Sequence, residues 1–326
     1  MRHPLSGATI WVLLLAVVVA GAVTLVATPW VIGLARRAGA IAKPGGRRAH
    51  REPTPLWGGL AIMVGLFAAW AVALPIGRGL GLISDLSGKQ LLGIGLGAAL
   101  VAALGAADDR FELRASAKLL GQIICAAVLV PFGLRIEGLL AYPLPGWAGA
   151  ALTVFWVVAI VNAVNLIDGL DGLAAGVTAI ASAALAVISA QRGQPGAALL
   201  AATVAGGCLG FLPHNFSPAR IFMGDLGSHF LGYMVAAISV AGTLKRAAVV
   251  TIAGAVLALA FPLLDTAFAV LRRSLRGQGI AVGDNEHLHH RLVNSGLSDR
   301  QAVLLIWLLS AILGVAGVFV SQRGGG

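Results

Sequence analysis

Long apolar runs separated by short polar connections make up most of the chain. About ten of these runs have the roughly 17–25 residues that an α-helix needs to cross the hydrocarbon core of a membrane. They lie at residues 8–28, 56–75, 90–107, 117–134, 147–167, 172–190, 196–213, 227–244, 247–271 and 301–320. The first run follows Arg2 and His3, as in a signal peptide, but it is too long for a signal-peptide core and Pro29-Trp30 is a poor cleavage site. The pattern predicts an all-α polytopic membrane protein, a single domain over residues 1–326, with about ten transmembrane helices.

The composition supports this class and excludes others. Hydrophobic residues make up 58% of the chain and charged residues 11%, and the mean hydropathy is +0.91. An ordinary soluble domain carries about 25% charged residues. The shortfall excludes a cytosolic domain, a disordered chain and a nucleic-acid-binding protein with a solvated surface, so we expect membrane lipids and no nucleic acid as partners. Cys125 and Cys208 lie within apolar runs and lack the spacing of metal ligands.

The distribution of charge predicts how the helices are oriented. Of the 23 Lys and Arg, 15 lie in or beside the connections that follow the odd-numbered runs, and 8 lie elsewhere. Positive charge gathers on the cytoplasmic side of a membrane protein. We therefore expect the odd-numbered connections in the cytoplasm and both termini outside the plasma membrane. Eleven of the 13 acids lie on the same predicted side, and because acids contribute little to topology, they indicate a carboxylate-rich site on the cytoplasmic face.

Two adjacent carboxylates, Asp108 and Asp109, close the third run and precede Arg110. Carboxylates at a membrane boundary cost free energy unless they are paired or bound to a metal, so the pair is a candidate site. The alternative is a solvated helix end with Arg110 as the local partner. Arg114 and Lys118 follow at a four-residue spacing, which predicts that they share one face of a helix and can bind a phosphate.

Four polar residues recur at three-residue steps around the end of the fifth run: Asn162, Asn165, Asp168 and Asp171. On a helix, this spacing stacks the side chains along one face. The glycines after Asp168 and Asp171 let a ligand approach the backbone closely. The alternative is that Asp168 or Asp171 caps the next helix, which would account for only one of the four residues.

The connection between the seventh and eighth runs carries a further carboxylate. It contains Asn215 and Arg220, and Asp225 stands next to Gly224 near its end. Asp225 either caps the eighth helix or joins the other carboxylates as an oxygen ligand for a divalent cation.

Two basic connections complete the set. The last long connection contains His287, His289, His290 and Arg291, which suit the oxygens of a diphosphate; the alternative is a solvated basic stretch. The first connection, residues 43–55, carries clustered Lys, Arg and His that either anchor the chain at anionic headgroups or attract an anionic substrate. Asp265, inside the ninth run, is a further intramembrane acid and therefore a functional candidate.

Together these stretches resemble the polyprenyl-phosphate N-acetylhexosamine-1-phosphate transferases of glycosyltransferase family 4. Five motifs match in order, one in each predicted cytoplasmic connection: Arg-Arg-Ala-His with Pro-Thr-Pro, Asp-Asp-Arg, Asn-x-x-Asn-x-x-Asp-Gly-x-Asp-Gly, Met-Gly-Asp-x-Gly-Ser and His-x-His-His. The last motif is similar to the WecA/TagO branch, which uses UDP-N-acetylglucosamine (UDP-GlcNAc); the related MraY-type branch has three consecutive histidines followed by Phe-Glu. Leu226 and His229 differ from the small or apolar residues that are commoner at their positions.

The resemblance implies a reaction and the partners it needs. A polyprenyl phosphate in the membrane attacks the β-phosphorus of a UDP-sugar, releases UMP and becomes a polyprenyl-diphosphate-sugar. Mg²⁺ is the implied cofactor, with Mn²⁺ as an alternative, and a homodimer is left open.

The resemblance also implies roles for individual residues. Asn165 and Asp225 match the metal-binding pair, and Asp108 or Asp109 matches the group that deprotonates or orients the carrier phosphate. Gly169, Asp171, Asn215 and Phe222 match the positions that hold the uridine. His287, His289 and His290, with Arg291 beside them, match the motif on the diphosphate side. Asp168 is a further catalytic candidate. Our helical-spacing argument adds Arg114 and Lys118 as residues that contact the carrier phosphate.

Two other functions compete with this interpretation. One is the phospho-N-acetylmuramoyl-pentapeptide transferase of peptidoglycan synthesis, which shares the reaction but not the donor sugar. The other is an ion- or proton-coupled transporter, because intramembrane acids also mark ion pathways. Transporter acids usually lie near the membrane midplane between repeated halves, whereas here they gather on one predicted face and no repeat is visible.

Overall fold

Helices make up 79% of the part of the chain that the computed structural model describes, which is residues 6–42, 53–139, 142–242, 256–257, 259–275 and 292–323. In chain order the longer helices are α1 (Gly7–Arg37), α2 (Gly58–Gly79), α3 (Gly88–Phe111), α4 (Ala115–Ala127), α5 (Gly146–Ile167), α6 (Leu173–Gln191), α7 (Pro195–Asn215), α8 (Gly224–Ala241), α9 (Ala260–Leu275) and α10 (Asp299–Arg323). A 3₁₀ turn, Val130–Phe132, follows α4. The predicted all-α fold is confirmed.

Eight helices within the described ranges are long and apolar enough to cross a membrane: α1 to α7, with α4 counted together with the 3₁₀ turn, and α10. The predicted number of about ten is therefore not confirmed. The helix α8 has only 18 residues and carries Asp225, Ser228 and His229 in its first turns. Much of the ninth predicted run lies outside the described residues, and α9 has 16 residues.

The first helix is longer than its apolar run because it continues through Pro29 to Arg37. Proline has no backbone N–H, so the carbonyl of Leu25, four residues earlier, has no donor within the helix. The Nε2 atom of His214 on α7 lies 3.1 Å from that carbonyl oxygen. Because a carbonyl can only accept, the ring nitrogen donates, and this hydrogen bond ties α1 to the end of α7.

The helix α8 lies at the centre of the bundle, and every residue from Leu226 to Ala241 is buried. The helices α3 and α5 pack against it, α2 and α7 pack against α1, and α6 packs between α7 and α10. The outer helices α1, α4 and α10 expose large apolar side chains such as Trp11, Leu120 and Leu308, as expected for surfaces that face lipid. This arrangement buries the polar first turns of α8 inside the bundle.

Small residues allow the helices to approach α8 closely. A Cβ atom added to Gly105 of α3 would lie 2.3 Å from the backbone oxygen of Asp225, and one added to Gly59 of α2 would lie 2.0 Å from Cα of Gly227. Larger side chains at either glycine would push these helices away from α8. Close glycine-mediated contact is a common way to pack helices in lipid.

Short two-stranded hairpins lie in two of the connections. The strand β1 (Ile41–Ala42) pairs with β2 (Thr54–Pro55), and β3 (Gly138–Leu139) pairs with β4 (Tyr142–Pro143), both antiparallel. The chain just before α8 joins the first hairpin, because the N–H of Phe222 donates to the Pro55 carbonyl at 2.8 Å. The N–H of Gly58 donates in turn to the Phe222 carbonyl at 2.9 Å. These backbone hydrogen bonds fix the position of Phe222.

Candidate active site

Four helices bring one polar side chain each to a common point at one end of the bundle. The Lys118 ammonium group on α4 forms ion pairs with Asp108 on α3 and with Asp225 on α8, the latter at 3.0 Å. Asn165 on α5 donates its side-chain N–H to Oδ1 of Asp225 at 2.8 Å and to the Ser228 hydroxyl at 2.9 Å. Asp108 is almost fully buried, with 6% of its surface exposed. With both carboxylates ionised, the cluster carries one more negative than positive charge.

The two adjacent aspartates have different surroundings. Asp108 pairs with Lys118, whereas the Asp109 carboxylate accepts the backbone N–H groups of Asp225 at 2.8 Å and Leu226 at 3.1 Å. These N–H groups belong to the first turn of α8, where backbone donors lack partners within the helix. Asp109 therefore caps α8 from a neighbouring helix, and this contact holds Asp225 at the cluster.

The close approach of Asp109 depends on Gly224, the first residue of α8. Gly224 has a φ angle of +73°, which favours glycine, and an added Cβ atom would lie 2.6 Å from the Asp109 carboxylate. The N-cap position of α8 is Met223, which makes no side-chain capping hydrogen bond. Asp225 is thus not the cap of its own helix, and the alternative in which it serves only as a cap is wrong.

The predicted common helix face of Arg114 and Lys118 is also wrong. Arg114 is the N-cap residue of α4, with an extended backbone (φ −60°, ψ 143°), and it is exposed. Lys118 lies inside the helix and points at the carboxylates. Arg110, the expected local partner of the aspartates, is not the cation beside Asp108. That cation is Lys118, and the Arg110 guanidinium lies 5.8 Å from the centre of the Phe111 ring.

The residues predicted to bind a metal fit a magnesium ion better than a transition metal. Mg²⁺ is usually held by one or two carboxylates together with the phosphate oxygens of a substrate. The cluster offers the oxygens of Asp108, Asp225 and Asn165, and Lys118 already places one positive charge between the two carboxylates. No group of three or more His, Cys, Asp or Glu side chains suited to a metal occurs among the described residues.

The turn between α5 and α6 forms a second part of the site. A small open recess is lined by Asp168, Gly169, Leu170, Asp171, Asn215 and Phe222. Four of the residues that match uridine positions, Gly169, Asp171, Asn215 and Phe222, thus come together although they belong to two separate connections. Asp168 lines the same recess.

Side-chain to backbone hydrogen bonds clamp the two connections of this recess together. Asn215 accepts the N–H of Gly172 at 3.1 Å and donates to the Ile221 carbonyl at 3.0 Å. Asp171 accepts the N–H of Ala219 at 2.9 Å. Asn215 and Asp171 are buried, with 4% and 7% of their surface exposed. They hold the walls of the recess in place, and Gly169 and Phe222 line it beside them.

The four polar residues around the end of α5 do not form one helix face, as their spacing predicted. The helix ends at Ile167, so Asn162 and Asn165 share a face but Asp168 and Asp171 lie in the following turn. The capping alternative is wrong as well, because the N-cap of α6 is Gly172 and it makes no side-chain capping hydrogen bond. Asp168 follows Asn165 by three residues in the sequence and lines the recess. This turn therefore connects the recess to the carboxylate cluster.

Several predicted residues lie outside the described residues. These are His287, His289, His290 and Arg291 in the last connection, and residues 43–52 in the first. Their predicted roles stay predictions. Asp265 lies buried on α9.

One residue of this region was not found from the sequence. Gln122 on α4 is buried among apolar neighbours and accepts a hydrogen bond from Asn162 at 2.7 Å. The available signal was its four-residue spacing from Lys118 inside an apolar run, which places both on the same side of α4.

Comparison with known proteins identifies the family. The model of glycosyl transferase family 4 matches residues 91–243, the segment that contains both parts of the site. The chain is 37% identical over 306 residues to a probable undecaprenyl-phosphate N-acetylglucosaminyl 1-phosphate transferase of Bacillus subtilis, covering 91% of this chain and 82% of the relative. It is 38% identical over 323 residues to a decaprenyl-phosphate N-acetylglucosaminephosphotransferase of Mycolicibacterium smegmatis, covering 90% and 78%.

A second group of relatives carries a different name. The chain is 37% identical over 345 residues to a phospho-N-acetylmuramoyl-pentapeptide-transferase of Desulforudis audaxviator, covering 94% of this chain and 98% of the relative. These similarities extend over nearly the whole chain. The protein is a multi-pass membrane protein, and it belongs to glycosyl transferase family 4.

Proposed function

We propose that the protein transfers N-acetylglucosamine-1-phosphate from UDP-GlcNAc to a polyprenyl phosphate. An oxygen of the polyprenyl phosphate attacks the β-phosphorus of the donor, and the bond from this phosphorus to the oxygen that bridges the two phosphates breaks. UMP leaves with that oxygen, and the product is polyprenyl-diphosphate-GlcNAc. The acceptor is an undecaprenyl or decaprenyl phosphate, and the step begins the synthesis of a lipid-linked cell-envelope polymer.

The observation that carries the proposal is the meeting of Asp108, Lys118, Asn165 and Asp225 beside the uridine-matching recess. Relatives named as N-acetylglucosamine-phosphate transferases share 37–38% of their residues with this chain over about nine-tenths of its length. Acidic and amide oxygens with one ammonium group suit a reaction between two phosphates. The reacting groups are already charged, so binding them side by side and neutralising them is the main task of the protein.

We assign the residues of this chain to three tasks. The recess lined by Gly169 and Phe222 receives the uridine, with Asp171 and Asn215 holding its walls. Lys118 attracts the carrier phosphate. Asp108 orients or deprotonates that phosphate, and Asp109 holds the first turn of α8. His287, His289, His290 and Arg291 contact the diphosphate of the donor.

We further propose Mg²⁺ as the cofactor, with Mn²⁺ as an alternative. Asp225 and Asn165 would hold the ion, with Asp108 nearby and Lys118 between the two carboxylates. The ion would neutralise charge on the donor diphosphate.

The proposed location follows from charge. Asp108, Lys118, Asn165 and Asp225 all lie at helix ends that border connections after odd-numbered runs. These connections together hold 15 of the 23 Lys and Arg, and such an excess marks the cytoplasmic side. We therefore propose a cytoplasmic site, in reach of a soluble nucleotide sugar, and extracytoplasmic termini. A homodimer stays a prediction of the family resemblance.

The second candidate is transfer from UDP-N-acetylmuramoyl-pentapeptide, which the relatives of that name support. Purified protein in detergent, given each donor separately with undecaprenyl or decaprenyl phosphate and Mg²⁺, tests both by UMP release. We expect turnover with UDP-GlcNAc and little or none with the pentapeptide donor. Preference for the pentapeptide donor would move the protein to the peptidoglycan branch. Absence of UMP release with both donors would contradict a transferase and favour a transporter, which solute uptake into proteoliposomes would detect.

A further inference from the structure

Three helices of the site carry a second polar side chain one turn further along. On α4 this residue is Gln122, four residues after Lys118. On α5 it is Asn162, three residues before Asn165, and on α8 it is His229, four residues after Asp225. A helical turn takes about 3.6 residues, so each of the three lies behind a site residue on the same helix face.

These three side chains contact one another. The side-chain N–H of Asn162 donates to Oε1 of Gln122 at 2.7 Å, and Nε2 of Gln122 lies 3.4 Å from Nε2 of His229. The same Asn162 nitrogen donates its second proton to the Val158 carbonyl at 2.8 Å. The three side chains therefore join α4, α5 and α8 at one level. We call them the second polar layer.

The direction of every hydrogen bond in this layer follows from the Val158 carbonyl. A carbonyl can only accept, so the nitrogen of Asn162 must face it, and the other proton of that nitrogen goes to the oxygen of Gln122. The nitrogen of Gln122 then faces His229 as a donor. His229 must accept at Nε2, so it is a neutral imidazole with its proton on Nδ1, which has no hydrogen-bond partner among the described residues.

Two of the three side chains of this layer are buried, so leaving either of them without a hydrogen-bond partner would cost free energy. Gln122 is 2% exposed and His229 is fully buried. A buried polar group that loses its partner costs free energy, whereas a satisfied network holds its members in one arrangement. The layer therefore fixes how α4, α5 and α8 are rotated about their axes relative to one another.

We infer that Gln122, Asn162 and His229 act as positioning residues that hold Lys118, Asn165 and Asp225 in register for phosphate transfer. This inference rests on the proposed function. Within the described chain, no hydrogen bond joins Gln122 or His229 to a residue that lines the recess. The layer therefore acts on the arrangement of the reacting groups and not on uridine binding.

The first test compares two substitutions at one position. His229→Leu removes the acceptor, and His229→Gln keeps an acceptor oxygen on a flexible side chain. We expect His229→Leu to lower kcat about tenfold, which corresponds to about 1.4 kcal/mol in the activation free energy, with the KM for UDP-GlcNAc changed by less than about threefold. His229→Gln should recover most of the lost kcat.

A double variant and a matched control separate positioning from general packing. Gln122→Met with His229→Leu removes both partners of the Gln122–His229 contact, although one Asn162 N–H loses its acceptor. The melting temperature in detergent should therefore fall no further than in Gln122→Met alone, while the kcat defect persists. The control is Ser239→Ala, because Ser239 on α8 accepts a hydrogen bond from Trp156 on α5 at 2.8 Å, away from the site. It should lower the melting temperature and leave kcat unchanged.

A second readout does not depend on turnover. UMP and Mg²⁺ together should raise the melting temperature, and His229→Leu should need a higher Mg²⁺ concentration than wild type for the same increase. A double variant with normal kcat and a normal Mg²⁺ requirement would overturn the inference, as would a Ser239→Ala variant with the same kcat loss as His229→Leu. Wild-type protein that turns over neither donor would refute the proposed function, and the Mg²⁺ titration would still decide whether the layer positions Asp225.

Discussion

The role of Asp109 as a cap for α8 predicts how its loss will act. Its two carboxylate oxygens accept the backbone N–H groups of Asp225 and Leu226, at 2.8 and 3.1 Å. Asp109→Ala removes both acceptors and leaves two helix N–H groups without partners inside the bundle. The first turn of α8 should loosen, and Asp225 should move away from Lys118.

The size of the effect can be worked from these contacts. Loss of a helix cap costs about 0.5–2 kcal/mol, and loss of a negative charge near a helix N-terminus costs a further 0.3–1 kcal/mol or so. Asp109→Ala should therefore lower the free energy of unfolding by about 1 to 3 kcal/mol. At about 2.1 cal/mol/K of unfolding entropy per residue, a chain of 326 residues loses about 1.5 °C in melting temperature per kcal/mol. Asp109→Asn keeps one acceptor oxygen and should lose about half as much.

Asp85 provides a matched control for this cap. Its carboxylate accepts the N–H groups of Gly196 at 2.8 Å and Ala197 at 3.2 Å, and so caps α7 at the end remote from the recess. Asp85→Ala should cost similar stability but leave kcat unchanged at a temperature where the variant is folded. Melting temperature in detergent and UMP release from UDP-GlcNAc measure the two effects.

The series Asp109→Asn and Asp109→Ala decides between a cap and a proton acceptor. If Asp109 is a cap, stability and kcat fall together, and the Asn variant is intermediate in both. If Asp109 removes a proton from the carrier phosphate, the Asn variant loses as much kcat as the Ala variant while the melting temperature hardly changes. The second pattern would refute the reasoning.

Three further predictions test other parts of the proposal. Asp225→Asn keeps the size of the side chain but removes its charge, so turnover should fall by orders of magnitude in a folded protein; near wild-type turnover at ordinary Mg²⁺ would remove Asp225 from the site. Asn215→Ala removes the side chain that bridges the Gly172 N–H and the Ile221 carbonyl. This change should raise the KM for UDP-GlcNAc about tenfold and cost about 1–3 kcal/mol of stability. An unchanged KM would show that the bridge does not shape the uridine recess. A cysteine added at the C-terminus should react with an impermeant reagent outside intact cells, whereas one at Ser295 should not, and the reverse pattern would overturn the proposed topology.

Apolar runs predicted the helices well because lipid-facing helices need long uninterrupted apolar stretches. The prediction was weakest where polarity and burial coincide. The first turns of α8 carry Asp225, Ser228 and His229, yet the whole helix from Leu226 onward is buried inside the bundle. The apolar run at residues 227–244 found most of this helix but assigned Asp225 to the preceding connection, because hydropathy does not show that a polar first turn is helical.

The members of the site were predictable, but their contacts were not. The family resemblance implied Asn165 and Asp225 as a pair, and they are hydrogen-bonded at 2.8 Å. The prediction that Arg114 shares a helix face with Lys118 was wrong because α4 begins one residue after Arg114, and a spacing argument holds only inside a helix. Gln122 was missed because its importance depends on Asn162 and His229, which lie 40 and 107 residues away in the chain.

The order in which the helices are made separates the partners of the site in time. Asp109 and the N–H group that it caps are 116 residues apart, and a ribosome adding about 5–20 residues per second takes about 6–23 s to cover that distance. Until α8 enters the membrane, Asp109 at the end of the newly made α3 lacks the α8 backbone donors, whereas Lys118, the partner of Asp108, follows ten residues later on α4. A nascent chain that stalls before α8 would thus present an incomplete bundle to membrane quality control, and a released fragment ending there would be a preferred target of membrane proteases.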